Sequence, residues 1–141
     1  MVRVYIRHPS DDPLETCPAE DFLNDEERCP ESVRTDLIAI VDAVAASPPP
    51  TFLGGVMWEA MHGMMAGFYE ARTRGPDRRL YRLFCILDRQ VSGEKSETLV
   101  PAIVVIDGAS KPVGEKFSDA EYRHIRALGD EYLRRTPRQA F

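Results

Sequence analysis

A chain of 141 residues can bury one core without disulfides or a structural metal, and its 43% hydrophobic and 29% charged residues fit a globular domain better than a disordered or fibrous one. The net charge of −5 argues against indiscriminate nucleic-acid binding, because affinity for phosphate comes mainly from neutralising its charge. That total hides a division: residues 1–66 hold 4 Arg and no Lys against 12 Asp/Glu, a net of −8, while residues 67–141 hold 14 Lys/Arg against 11 Asp/Glu, a net of +3. The basic half leaves room for a local anion site, and uneven surface charge explains the asymmetry equally well. Three cysteines, Cys17, Cys29 and Cys85, give no disulfide framework and suit a reducing compartment. No apolar run reaches the roughly 18 residues of a membrane span, and the opening MVRVYIRHPSDDP lacks the apolar core and cleavage site of a signal peptide, so a cytoplasmic location without membrane contact is expected.

In chain order, Val2 to Ile6 reads as a first strand. His8 to Pro30 is rich in Pro and acid and reads as an inserted surface loop, with one acidic helical turn around Ala19 to Glu27 and an attachment to the core through Phe22 and Leu23. From Pro30 a helix is predicted, with Pro in its first turn and Val33, Leu37, Ile40, Val41 and Val44 at helical spacing. Ser47 to Pro50 ends it. A second, shorter helix is predicted between Val56 and Gly63, its Met57, Trp58 and Met61 serving as core packing. Three apolar runs separated by Gly, Pro, Asp and Ser then predict a meander of three antiparallel strands: Gly67 to Arg72, Arg79 to Arg89 and Thr98 to Lys111. Asp107 to Ser110 reads as a turn between strand and loop. Ser118 and Glu121 form a capping box opening a last helix to about Arg135, with Tyr122, Ile125, Leu128 and Tyr132 on its inner face. The expected fold is a single α+β domain over residues 1–141: a small antiparallel sheet of the N-terminal strand plus the meander, packed with two N-terminal helices and a C-terminal one.

Chemistry-bearing patterns are few. His8, Cys17 and Cys29 lack zinc-site spacing, and no metal or cofactor is expected. There is no Gly-x-Ser-x-Gly, Cys85 lies in the apolar register of a strand, and Gly54 with Gly55 makes no phosphate loop. The basic residues form the exception. Alternation along the second meander strand puts Tyr81, Leu83, Cys85 and Leu87 on one face and Leu80, Arg82, Phe84 and Ile86 on the other, leaving Arg82 on an otherwise apolar face. Arg72, Arg82 and Lys111 can converge there, with Arg74, Arg78 and Arg79 in the connecting hairpin. Such a cluster suits a phosphodiester, whose oxygens a guanidinium grips in a fork. The alternative is structural: Arg72 pairs with Glu70 or Glu59, and Arg82 with a buried acid.

The run Gly67-Phe68-Tyr69-Glu70-x-Arg72, then Tyr81-Arg82-Leu83-Phe84, then Gly108 to Lys111 ahead of a helix with Glu121 and Tyr122, resembles the RelE/ParE superfamily of bacterial toxins, most closely its phage-derived HigB-like branch. The likeness spans roughly Trp58 to Tyr122. It implies a RelE-like fold and the toxin of a type II toxin–antitoxin pair, with a cognate antitoxin as partner. The implied activity is endonucleolytic cutting of messenger RNA, often on the ribosome, in which the RNA's own 2′-hydroxyl attacks the adjacent phosphate without a metal or cofactor. By the same likeness Arg82 matches the arginine that contacts the scissile phosphate, Lys111 a basic residue after the last strand, Tyr122 a functional tyrosine, and Arg72 the arginine ending the second strand. Arg74, Arg78 and Arg79 join as RNA-binding candidates. A non-enzymatic member of the same fold, either a topoisomerase inhibitor or a protein-binding module, remains the alternative, as does an unrelated α+β binding domain.

Overall fold

A computed structural model describes residues 1–47, 57–92 and 99–135. In chain order they form β1 (Val2–Val4), α1 (Pro18–Leu23), α2 (Glu31–Ala46), β2 (Trp58–Ala60), a 3-10 turn (Gly63–Met65), β3 (Phe68–Arg74), β4 (Arg79–Ser92), β5 (Leu99–Pro112) and α3 (Asp119–Leu133). The strands make one five-stranded sheet in the order β1-β5-β4-β3-β2. The class is α+β, as composition and patterning led one to expect. Among the described residues no helix is long and apolar enough to cross a membrane.

The sheet is covered on both faces. On one, α1 and α2 bring Phe22, Val33, Leu37 and Val44 against Trp58, Ala71, Tyr81, Leu83, Cys85 and Val105. On the other, α3 brings Ile125, Leu128 and Tyr132 against Phe68, Phe84, Ile86, Val104 and Ile106. The period-2 alternation of β4 divides as expected: its odd residues face α2 and its even ones face α3. All five apolar residues that define the α2 stripe are buried. The α3 capping box is present, the Ser118 hydroxyl accepting from the Glu121 N–H and the Glu121 carboxylate from the Ser118 N–H.

Four expectations need correction. The sheet is mixed, because β1 runs parallel to β5 (Val2 opposite Ile103): α1 and α2 carry the chain across one face before it returns, so the first strand meets the last in the same direction. The helix expected between Val56 and Gly63 is instead the edge strand β2 followed by the 3-10 turn, Val56 itself lying outside the described residues. Trp58 pairs with Ala71 and stacks on Tyr69 (5.4 Å, 12°), while Met61 packs toward α3, so two residues three apart serve opposite faces, which a helix forbids. Met57 is exposed rather than core. Asp107 to Ser110 is strand, not turn: a bulge leaves Ile106 without a partner between Cys85↔Val105 and Phe84↔Asp107, and pairing then continues to Pro112. The acidic segment, by contrast, carries the helical turn and the core attachment expected of it: α1 buries Ala19, Phe22 and Leu23, and Phe22 lies directly over Gly108. Gly54, Gly55 and Pro48 to Pro50 lie outside the described residues.

Two glycines record how closely the layers approach. A Cβ at Gly129 of α3 would sit 2.2 Å from Phe68 Cζ, and one at Gly108 would sit 2.1 Å from Phe22 Cδ1, both rings being buried. In an exposed helix interior Gly→Ala gains about 1 kcal/mol. Here Gly129→Ala and Gly108→Ala each lose about 1–3 kcal/mol in urea unfolding, because overpacking outweighs propensity; a stabilised Gly129→Ala would contradict the seat of α3. The other anchor of α3 is polar. Glu131 accepts from the Tyr5 hydroxyl (2.6 Å) and from Arg7 Nε and Nη2 (3.0 and 2.9 Å). Burial alone would raise its pKa, but the Arg7 and Tyr5 hydrogen bonds outweigh burial and hold it below the ordinary value. A depressed carboxylate contributes stability that is complete above the ordinary glutamate pKa and lost as pH falls through the lower folded value. Glu131→Gln is therefore expected to lower stability at neutral pH and to flatten the acid limb of the stability profile.

Candidate functional site

Strand register places four charges together. Glu59 lies opposite Glu70 across β2 and β3, and Arg72 lies opposite Arg82 across β3 and β4. Like charges directly opposite repel, and the side chains settle this diagonally: Arg72 pairs with Glu59 (2.7 Å) and with Glu70 (3.6 Å), and Arg82 pairs with Glu70 (2.7 Å). Glu70 and Arg82 keep only 7% and 12% of their side chains exposed, whereas Glu59 keeps 52%. Both pairings named by the structural alternative are thus present. They sit on the face that α3 covers further along, where Phe68, Phe84 and Ile86 are packed.

The other cations reach the same place. Arg82 and Lys111 each stand 5.4 Å from the centroid of the Phe117 ring, a cation–π contact that two positive charges share. Lys111 belongs to β5, opposite Leu80, rather than to a loop after it, and its ammonium donates to the Glu115 carbonyl (2.6 Å). Partial burial, followed by the repulsion of Arg82, lowers its pKa. Tyr122, on the first turn of α3, meets Phe84 edge-on (6.3 Å, 87°) and tilts against Phe117 (5.7 Å). Burial raises the pKa of its phenol against the opposing pull of Arg82.

Two cavities meet at Arg82. One, of about 360 Å³, is walled by Arg72, Arg74 and Arg82 with Met57, Thr73 and Leu80. The other, of about 390 Å³, has Glu70 and Arg82 on one wall and Met61, Met64, Tyr122 and Asp119 around them, with His62 at its rim. Of the residues picked out by sequence, Arg82, Arg72, Lys111 and Tyr122 converge, and Arg74 lines the first cavity. Arg78 is at the exposed hairpin turn, with a positive φ of 59°. Arg79 does not join: its guanidinium meets the Ser110 hydroxyl (3.0 and 3.2 Å), and it shares the α2 side of β4 with Tyr81. Period 2 from Arg82 separates them by face.

Sequence reasoning treated Glu70 only as a possible partner and missed His62 and Asp119 altogether. Glu70 had a usable signal, since it stands two residues before Arg72 on a strand and so shares its face. His62 and Asp119 come from the 3-10 corner and the start of α3, which no local pattern joins. Chemically, the set combines a carboxylate able to take a proton, guanidiniums and an ammonium able to hold an oxyanion, and an imidazole and a phenol able to give a proton. Among the described residues no group of three or more His, Cys, Asp or Glu side chains is arranged to hold a metal ion. Compared with models of protein families, with curated sequences and with solved structures, the chain matches none.

Among the described residues, removing Arg82 leaves buried Glu70 with the longer Arg72 contact. Arg82→Ala is expected to cost about 3 kcal/mol of unfolding free energy, and Arg82→Met combined with Glu70→Leu should recover most of it. Urea denaturation of the single and double variants measures this, and a loss under about 0.5 kcal/mol would show that the pair is effectively solvated.

Proposed function

We propose that the chain is a metal-independent endoribonuclease with a fold of the RelE/ParE kind: the toxin of a type II pair, acting on messenger RNA in the cytoplasm and restrained by a cognate antitoxin protein. The observation that carries this reading is the buried Glu70–Arg82 pair at the junction of two cavities, with Arg72, Lys111 and Tyr122 around it. Cleavage by an internal 2′-hydroxyl needs a base beside that hydroxyl, cations around the pentacoordinate phosphorus, and an acid for the departing 5′-oxygen. Glu70 takes the 2′-hydroxyl proton, and its ion pair with Arg82 orients it. Arg82 and Arg72 hold the non-bridging oxygens, exchanging part of their grip on Glu70 and Glu59 for the phosphate. Lys111 adds positive charge from β5. Tyr122 or His62 returns a proton to the leaving oxygen, the phenol and the imidazole both facing the cavity that Glu70 lines.

One feature favours the non-enzymatic reading. Arg72 and Arg82 already spend their charge on Glu59 and Glu70, and the chain as a whole is acidic. A protein-binding module or a topoisomerase inhibitor would use the same face for an acidic partner without cutting anything. The two readings separate on induction in a bacterial host. Ribonuclease activity predicts growth arrest with discrete new 5′ ends on abundant messages by primer extension. Glu70→Gln and Arg82→Lys should accumulate as soluble protein, yet cut at least about a hundredfold more slowly. Arrest with intact messages and broken DNA would move the assignment to topoisomerase inhibition. Unchanged cutting by Arg82→Lys and Glu70→Gln would remove both from the chemistry.

A further inference from the structure

The two cavities that share Arg82 differ in chemistry. The one walled by Arg72, Arg74 and Arg82 suits an anion. The other sets three carboxylates, Glu59, Glu70 and Asp119, around the single guanidinium of Arg82, so a second phosphate is disfavoured there, and the remainder of its wall includes thioethers, a phenol ring and the His62 imidazole. Met64 is 42% exposed and Met61 half-buried, a soft, adaptable surface for a flat unsaturated ring, and Tyr122 presents an aromatic face beside them. Three polar groups border this cavity with no side-chain partner among the described residues: the Asp119 carboxylate, the His62 imidazole and the Tyr122 hydroxyl. Asp119 is not needed to cap its helix, because Ser118 and Glu121 already do so.

We propose that this cavity is a nucleobase subsite, reading the base next to the phosphate held at Arg82, and that it selects guanine. Guanine's Watson–Crick edge offers N1–H and the N2 amino group side by side, and a single carboxylate accepts both. Adenine and cytosine set one amino group beside a ring nitrogen whose lone pair the carboxylate repels, and uracil flanks its one N–H with two carbonyl oxygens. Single-stranded RNA bases are recognised in this manner, stacked on side chains and hydrogen-bonded along that edge. The Met61, Met64 and Tyr122 wall supplies the stacking surface and Asp119 the selection. The phosphate at Arg82 fixes which base enters, so the inference rests on the functional reading above for its register.

Binding tests it without requiring cleavage. The four ribonucleoside 3′-monophosphates are titrated by calorimetry into the intact chain and into Asp119→Asn, Met64→Ala and Arg82→Met, each checked for folding by circular dichroism. The guanosine nucleotide should bind about tenfold or more tighter than the other three. Asp119→Asn should abolish that preference, Met64→Ala should weaken all four, and Arg82→Met should weaken all four without changing their ratio. Equal or undetectable binding of the four, or a guanosine preference that survives Asp119→Asn, overturns the subsite. A guanosine preference in a chain that cuts no RNA would sink the ribonuclease reading and leave the subsite standing. Cutting with no base preference would do the reverse.

Discussion

Glu59 facing Glu70 and Arg72 facing Arg82 is the constraint on which this half of the molecule depends. Two like-charged pairs in adjacent ladders would push three strands apart. Diagonal pairing turns the same four charges into a closed set, with Arg72 tied to both carboxylates and Arg82 tied to the buried one. The set also pins the register. A slip of one residue would drive Glu70, Arg72 and Arg82 into the face that α2 packs, where Leu83 and Ala71 are almost wholly buried. It also limits the apolar packing of α3, which covers Phe68, Phe84 and Ile86 and leaves the charged end of the same face lined by cavities.

Chemistry follows from how unequally those charges are exposed. Glu70 and Arg82 lie deep, beside the Phe117 ring that also receives Lys111, so charge is concentrated where water is scarce and electrostatic interactions are stronger. Glu59 lies at the surface on a three-residue edge strand and, on the proposed reading, is the partner that an incoming phosphate would displace first. The arrangement therefore holds both guanidiniums in place by pairing within the protein itself. Of the acidic segment from Asp11 to Glu31, α1 packs on the opposite side of the sheet, and Asp11 and Asp12 engage Arg135 and Arg7 near the C-terminal end of α3.

What was legible in the sequence was whatever local periodicity encodes. The α2 stripe, the two faces of β4 and the α3 capping box all follow from spacing within one element, and Arg82 stood out because a guanidinium interrupted an apolar face. Pairing between distant segments was not legible. Trp58 belongs to a strand because β3 offers it Ala71 and a Tyr69 ring, partners that helical spacing cannot reveal. Gly108 continues β5 because Phe22, eighty-six positions earlier, needs the space its missing Cβ leaves. The parallel pairing of β1 reflects the route of α1 and α2 over the sheet. The same limit divides the site: Arg72, Arg82, Lys111 and Tyr122 came from runs of recognisable type, whereas His62 and Asp119 arrive from a corner and a helix start that only the folded chain brings together.

The most direct measurement is incubation of the purified chain with a short single-stranded RNA in the presence of a chelator, with the product termini identified by mass spectrometry. Internal attack by the 2′-hydroxyl predicts fragments ending in a 2′,3′-cyclic phosphate and a 5′-hydroxyl, lost in Glu70→Gln. Intact RNA from a folded chain, supplied with ribosomes as well as alone, or fragments carrying a 5′-phosphate, would contradict the mechanism assigned to the Glu70–Arg82 pair.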